Sequence, residues 1–346
     1  MERNYAIDFI KFFAIFAVVV IHTFPLDSVM GFYMIDALSR FAVPFFFVAS
    51  GYLFGLKMMN TREHFNYFRK YIIKIFKIYV CWLIFYAAYD VILILFKYKG
   101  FEIKKELINY FDEFSLFNLL YYGKGTSGYH LWFLTALIWS VLTVFIFFRC
   151  KKINMLFILS FVLNILGLLG QSYTMFFEFP VSTRDALFLG LFYTALGFFF
   201  ADQVKCRKLK KLNVKTYSVL LFLLALLQVM EAFVLDKLLP GSHGEYFLST
   251  IFLTAFLFYF VLTNNQSGKG LFVTKIGRNS LGIYVIHAFI INVFNMVLEA
   301  LHIDLANHFL WNLVYTLFIF IISYFAYELL QYAERIVKKW NPVLLS

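Results

Sequence analysis

Residues 6–24 read AIDFIKFFAIFAVVVIHTF, an apolar helix that carries three ionisable groups, Asp8, Lys11 and His22. Between Lys11 and His22 every residue from Phe12 to Ile21 is apolar. An Asp or Lys at the centre of a bilayer costs roughly 2.5–3.5 kcal/mol on insertion scales, so such groups are rare and mark function by default. Lys11 and His22 are eleven positions apart, about three helical turns, which sets them on one face roughly 16 Å apart. Asp8, three residues before Lys11, shares that face. A polar stripe on a lipid-like helix points into a protein interior or a cavity. His22 is the group suited to take and give a proton near neutral pH. The bland alternative is a hydrogen-bonded packing histidine near the outer interface.

The rest of the chain repeats the apolar pattern. Of 346 residues, 62% are hydrophobic and 48 are Phe, against 45–50% apolar in a typical soluble domain. Ten runs are long enough to cross a bilayer: Ile7–Leu26, Ile35–Leu56, Tyr71–Phe96, Tyr129–Phe148, Ile153–Gly170, Asp185–Ala201, Thr216–Leu235, Tyr246–Leu262, Leu281–Leu301 and His308–Leu330. The expected fold is all-α and polytopic, with about ten transmembrane helices in one domain spanning 1–346. The longest connection, Lys97 to Gly128, mixes charged and apolar residues and suits an amphipathic or re-entrant piece.

The net charge of +11 is laid out for a membrane rather than for nucleic acid. With the N-terminus inside, twenty Lys and Arg fall in inner segments and six in outer ones, the positive-inside pattern with both termini cytoplasmic. The first span is no cleaved signal peptide, because its flank carries an acid and nine more spans follow. Cys81, Cys150 and Cys206 have no metal or redox spacing. No Walker loop or dinucleotide fingerprint is present, which disfavours a pump driven by its own ATPase. No metal site is expected.

Other candidates lie at span ends. Arg40, in SRFAVPFFFVASGY, is a second charge inside an apolar run; it suits an oxyanion or an acidic group, or else snorkels to the interface. Pro44 is expected to kink that helix, and Ser50-Gly51 to allow close packing. Arg69, Lys70 and Lys74 flank the inner end of the third span, a suitable phosphate site that positive-inside orientation would also produce. His130 and Trp132 sit at the outer mouth of the fourth span, where an aromatic belt is the plain alternative. Tyr284 and His287 lie three residues apart on the ninth span and either line a cavity or pack between helices.

These motifs resemble the membrane-bound acyltransferase 3 family, whose members O-acylate glycans and other surface molecules. The first-span pattern of a basic residue, ten residues and a His is kept by Lys11 and His22, with Lys where the family has Arg. Arg40 with Pro44–Phe47 and Ser50–Tyr52, the basic pair Arg69-Lys70, His130–Phe133, and Ser280–Tyr284 with His287 are similar to later motifs in the same order. The resemblance implies an acyl-CoA donor, usually acetyl-CoA, on the cytoplasmic side. It implies a hydroxyl acceptor on a surface polysaccharide or lipid-linked glycan, in the cell membrane of a bacterium. On this reading CoA docks at Arg69, Lys70 and Lys74, His22 is general base or transient acyl carrier, and Arg40 supports the oxyanion. Asp8, Lys11, Ser50, His130, Tyr284 and His287 support them. The sequence leaves direct transfer and an acyl-histidine equally open. The rival class is a transporter or flippase for a polysaccharide or lipid-linked precursor, which ten spans with buried charges serve as well. Against it, no repeat symmetry is visible.

Overall fold

A computed structural model describes residues 3–24, 34–112, 114–177, 179–206, 209–239, 241, 244–303 and 309–340. Helices account for about four fifths of them, and there is no strand among the described residues. Among the described residues eight helices are long and apolar enough to cross a membrane, and two shorter apolar ones, Ile153–Leu169 and Leu248–Thr263, occupy the places of the fifth and eighth expected spans. At 17 and 16 residues these two are about 24–26 Å long at 1.5 Å per residue, just short of the hydrocarbon thickness. The chain is an all-α polytopic membrane protein.

It divides into two compact units, 1–42 with 266–346, and 43–265.

The first unit is built from both ends of the chain. It contains α1 (Tyr5–Thr23), α2 (Ala37–Ser39), α11 (Phe272–Arg278), α12 (Ser280–Ala300) and α13 (Phe309–Trp340). Helix α1 starts where Asn4 caps the Ile7 N–H and Asp8 lies in the first turn, an acid at the positive end of the helix dipole. Its apolar face packs on α11, α12 and α13. The approach to α11 is very close: a Cβ on Gly277 would lie 1.8 Å from the Asp8 carbonyl oxygen and 2.8 Å from the Phe12 nitrogen. From that contact α12 runs parallel to α1. Helix α13 returns antiparallel, with Thr23 and Thr316 sharing a buried 2.6 Å hydrogen bond and Phe320 against Phe12 and Phe16. Before α3 begins, the helical path turns at Arg40–Phe41. Pro44 explains the turn, since it has no N–H for the Arg40 carbonyl and its ring crowds that oxygen.

The second unit holds α3 (Ala42–Asn60), whose residues from Val43 onward belong to it, then α4 (His64–Lys97), α5 (Phe101–Asp112), α6 (Trp132–Arg149), α7 (Ile153–Leu169), α8 (Leu191–Cys206), α9 (Val214–Phe233) and α10 (Leu248–Thr263). Gly51 and Gly197 let α3 and α8 touch backbone to backbone, each would-be Cβ lying 2.0 Å from a carbonyl oxygen of the other helix. The Lys97–Gly128 connection contains α5, which buries no residue and exposes Phe101, Ile108 and Phe111. It is the amphipathic piece expected there, and α5 packs on α4.

The Gly277 contact leaves no room for a side chain larger than hydrogen. Gly277→Val is expected to destabilise the protein by about 1–3 kcal/mol through overpacking, read as a lowered thermal unfolding midpoint in detergent. An unchanged midpoint would contradict the close approach.

Candidate active site

Two histidines meet in the first unit. His22, in the last turn of α1, stacks on His287 of α12 with ring centroids 5.3 Å apart and planes 28° apart. His287 is fully buried. Its Nδ1 lies 2.6 Å from the Tyr284 carbonyl oxygen. A carbonyl only accepts, so Nδ1 carries the proton and Nε2 is the basic nitrogen of the neutral ring. Tyr284 is thus tied to His287 through its backbone as well as by a ring contact at 5.9 Å. The i, i+3 spacing seen in the sequence is what brings the carbonyl under the ring.

His22 stands in the last turn of α1, and its neighbours run past it. His287 lies seven residues into α12 and Thr316, the partner of Thr23, seven residues into α13. About 20 Å of α12 and about 10 Å of α13 therefore extend past the histidine pair. The cause is Gly277, which starts α12 partway along α1. Hydropathy marks where a run is apolar, not how far along its neighbour the run begins.

The polar stripe of α1 also divides. Asp8 accepts a 2.7 Å charge-assisted hydrogen bond from Arg3, and Lys269 lies over the Tyr5 ring at 5.7 Å. Asp8 belongs to this basic end. Hydrogen bonding to Asp8 holds the Arg3 guanidinium above its usual range. Lys11 is partly buried and makes no hydrogen bond or ion pair among the described residues.

Arg40 is 4% exposed and is held by Asp36, 2% exposed, in a fork: Nε donates to Oδ2 and Nη2 to Oδ1, both at 2.9 Å. It does not snorkel. Asp36 is a site residue that the sequence reading missed, although an acid four positions before a basic residue is the spacing of a helical ion pair. A bidentate pair fixes the guanidinium plane and neutralises most of its burial cost. Helix α2, which ends at Arg40, packs against α1.

The other candidates lie in the second unit. Arg69, Lys70 and Lys74 are exposed on the first turns of α4 and make no ion pair among the described residues. The start of α4 lies beside the end of α6, where Phe68 stacks on Phe145 at 4.0 Å and His64 meets Phe148. The three charges therefore share one end of the unit with Arg149. Ser50 lies midway along α3. His130 is at the opposite end, 1% exposed and edge-on to Tyr86 at 5.3 Å.

Around that opposite end runs a polar cap that sequence reasoning did not find. Arg184 pairs with Glu245 at 2.6 Å and lies over Trp132 at 5.2 Å. The Tyr121 hydroxyl donates to Asp185 at 2.8 Å. Glu231 accepts from the Tyr173 hydroxyl and from the first N–H groups of α10, Leu248 and Ser249, at 2.6, 2.7 and 2.8 Å. A carboxylate at a helix N-terminus satisfies donors that the helix itself cannot.

A family model described as an acyltransferase domain matches residues 4–328. The chain belongs to that family. It is a membrane protein built on an acyltransferase-family domain. Two curated relatives from Enterococcus faecalis are each named amino-acid racemase. One is 27% identical over 316 residues, covering 86% of this chain and 42% of the relative. The other is 25% identical over 253 residues, covering 68% and 33%. The chain thus spans less than half the length of these relatives. No solved structure matches.

The Asp36–Arg40 fork sets a testable cost. Asp36→Asn leaves a buried guanidinium uncompensated and is expected to cost about 3–5 kcal/mol, read as a fall in the unfolding midpoint in detergent. The double change Asp36→Leu with Arg40→Met removes both charges and should be milder than the single one. A double variant as damaged as the single would refute the pairing.

Proposed function

We propose that this acyltransferase moves an acyl group, most simply acetyl, from acyl-CoA on the cytoplasmic side to a hydroxyl of a surface polysaccharide or lipid-linked glycan. The observation that carries the proposal is the stack of a half-buried His22 on a fully buried His287 beside α1 in a chain of this family. An imidazole in such a setting is a general base, and the family supplies the reaction type.

The step balances as follows. His22 takes the proton of the acceptor hydroxyl as its oxygen attacks the thioester carbonyl. The carbonyl oxygen becomes an oxyanion, which Arg40, oriented by Asp36, stabilises. Collapse breaks the carbon–sulfur bond. The thiolate leaves with the proton held on His22, giving free CoA and an ester. His287, with its Nδ1 proton fixed on the Tyr284 carbonyl, positions the His22 ring. Arg69, Lys70 and Lys74 are positive groups not spent on any carboxylate among the described residues, which supports a role in binding CoA phosphates. Charge asymmetry assigns their end to the cytoplasm. The setting proposed is the cell membrane of a bacterium. The racemase name of the relatives is not carried over, because the match covers less than half of each.

Cells expressing wild type should carry base-labile esters on surface polysaccharide that are absent without the gene. His22→Ala, at equal protein level, should lower transfer by at least about 100-fold, the usual weight of a general base. Full ester content with His22→Ala would sink the assignment. In membranes, Lys70→Ala with Lys74→Ala should raise the acyl-CoA KM and leave the acceptor KM unchanged. A change confined to the acceptor KM would place donor binding elsewhere.

A further inference from the structure

The second unit has a groove that none of this chemistry uses. It lies between the end of α4, the length of α5 and the loop 125–127, with a volume of about 610 Å³. Asp90, Lys97, Tyr98, Glu106, Asn109 and Ser127 line it, together with Tyr110. Asp90 is 9% exposed, and its Oδ2 accepts both the Tyr110 hydroxyl at 2.8 Å and the Ser127 backbone N–H at 2.9 Å. Its Oδ1 accepts no hydrogen bond among the described residues. The Ser127 Oγ is buried with no hydrogen-bond partner. Neither the Glu106 nor the Asn109 side chain makes a hydrogen bond among the described residues. Burial, and then the hydrogen bond to Asp90, push the Tyr110 phenol up, so it stays a neutral donor that holds the carboxylate in place.

These groups select a ligand chemistry. Two carboxylates against one ammonium make the lining net negative, which turns away phosphates and other anions. An apolar ligand would leave the Asp90 Oδ1 and the Ser127 hydroxyl without partners. A neutral sugar suits both constraints. Its hydroxyls donate to Asp90 and Glu106 and accept from Lys97 and Asn109, while its C–H face lies on an aromatic ring. The volume falls within the 300–1,000 Å³ range of small-ligand sites, enough for about two linked sugar rings.

We infer that this groove is a docking subsite for a neutral segment of the glycan acceptor. The inference rests on the reading of the acceptor as a glycan, and on the charge asymmetry that places α5 outside.

The test uses the full-length protein in detergent and isothermal titration with four probes: chitotetraose, cellotetraose, maltotetraose and the anionic oligogalacturonate. At least one neutral probe should bind, and oligogalacturonate should bind more weakly. Glu106→Gln with Asn109→Ala, and separately Tyr98→Ala, should each weaken that binding by at least tenfold while the protein elutes as a single species. In acyl transfer the same variants should raise the acceptor KM and leave the acyl-CoA KM alone. No binding of any neutral probe by wild type, preference for oligogalacturonate, or equal binding by both variants would overturn the inference. Its fate separates from that of the enzyme reading. Sugar binding without any acyl transfer leaves the groove standing and removes the proposed reaction. Acyl transfer without sugar binding does the reverse.

Discussion

The first unit depends on one contact without a side chain, Gly277 against the Asp8 carbonyl. It lets the backbones of α1 and α11 meet and so fixes how far along α1 the next helix begins. Ten residues on, the same register lays His287 against His22. A larger residue at Gly277 would push α11 outward, and the pair would lose its register before either histidine changed. Small residues serve this purpose in membranes generally, where lipid offers no hydrophobic drive and helices must gain from close packing. The catalytic proposal thus leans on a glycine roughly 15 Å away along the helix axis.

A second constraint governs the charges. Within an apolar frame an ionised group needs a partner or a purpose. Asp36 with Arg40, Arg3 with Asp8, and Arg184 with Glu245 meet the first condition by direct pairing. Glu231 meets it by capping α10. Arg69, Lys70 and Lys74 are matched by no carboxylate among the described residues. Lys11 is the odd case, partly buried and outside ion-pair distance of Asp8. The Arg184–Glu245 pair and Glu231 stand at one end of the second unit, and Arg69, Lys70 and Lys74 at the other end pair with no carboxylate among the described residues. That contrast is what an anionic donor would read.

Hydropathy made the helices legible, because an apolar run of twenty residues has few other fates. His22 and Arg40 were legible for the opposite reason, as ionisable groups inside such runs. Asp36 was not, since it stands where the apolar pattern of the second span has only begun, and its partner is visible only once the segment is known to be helical. The His22–His287 contact joins residues 265 positions apart and hangs on a helix offset that no local pattern encodes. The polar cap was hidden for the same reason: Arg184 and Glu245 are separated by 61 positions, Tyr121 and Asp185 by 64. Local sequence reports which groups are costly to bury. Only the fold reports which of them share the cost.

The depth of the histidine pair bears on the chemistry proposed for it. A thioester exposed to a general base and to bulk water would lose its acyl group to hydrolysis. Helices α12 and α13 continue past His22 by about 20 and 10 Å, so in the first unit the half-buried base lies alongside these helices rather than at their ends. Excluding water there strengthens the interaction of an oxyanion with a fixed guanidinium and suppresses the competing nucleophile. The acceptor hydroxyl must then be carried inward to the base. A glycan chain, long and held at a distance by its outer segments, can offer one hydroxyl at depth while most of its rings stay in water. A small free sugar has no such anchor. On the proposed reading, a half-buried His22 stacked on a fully buried His287 suits a polymeric or lipid-tethered acceptor.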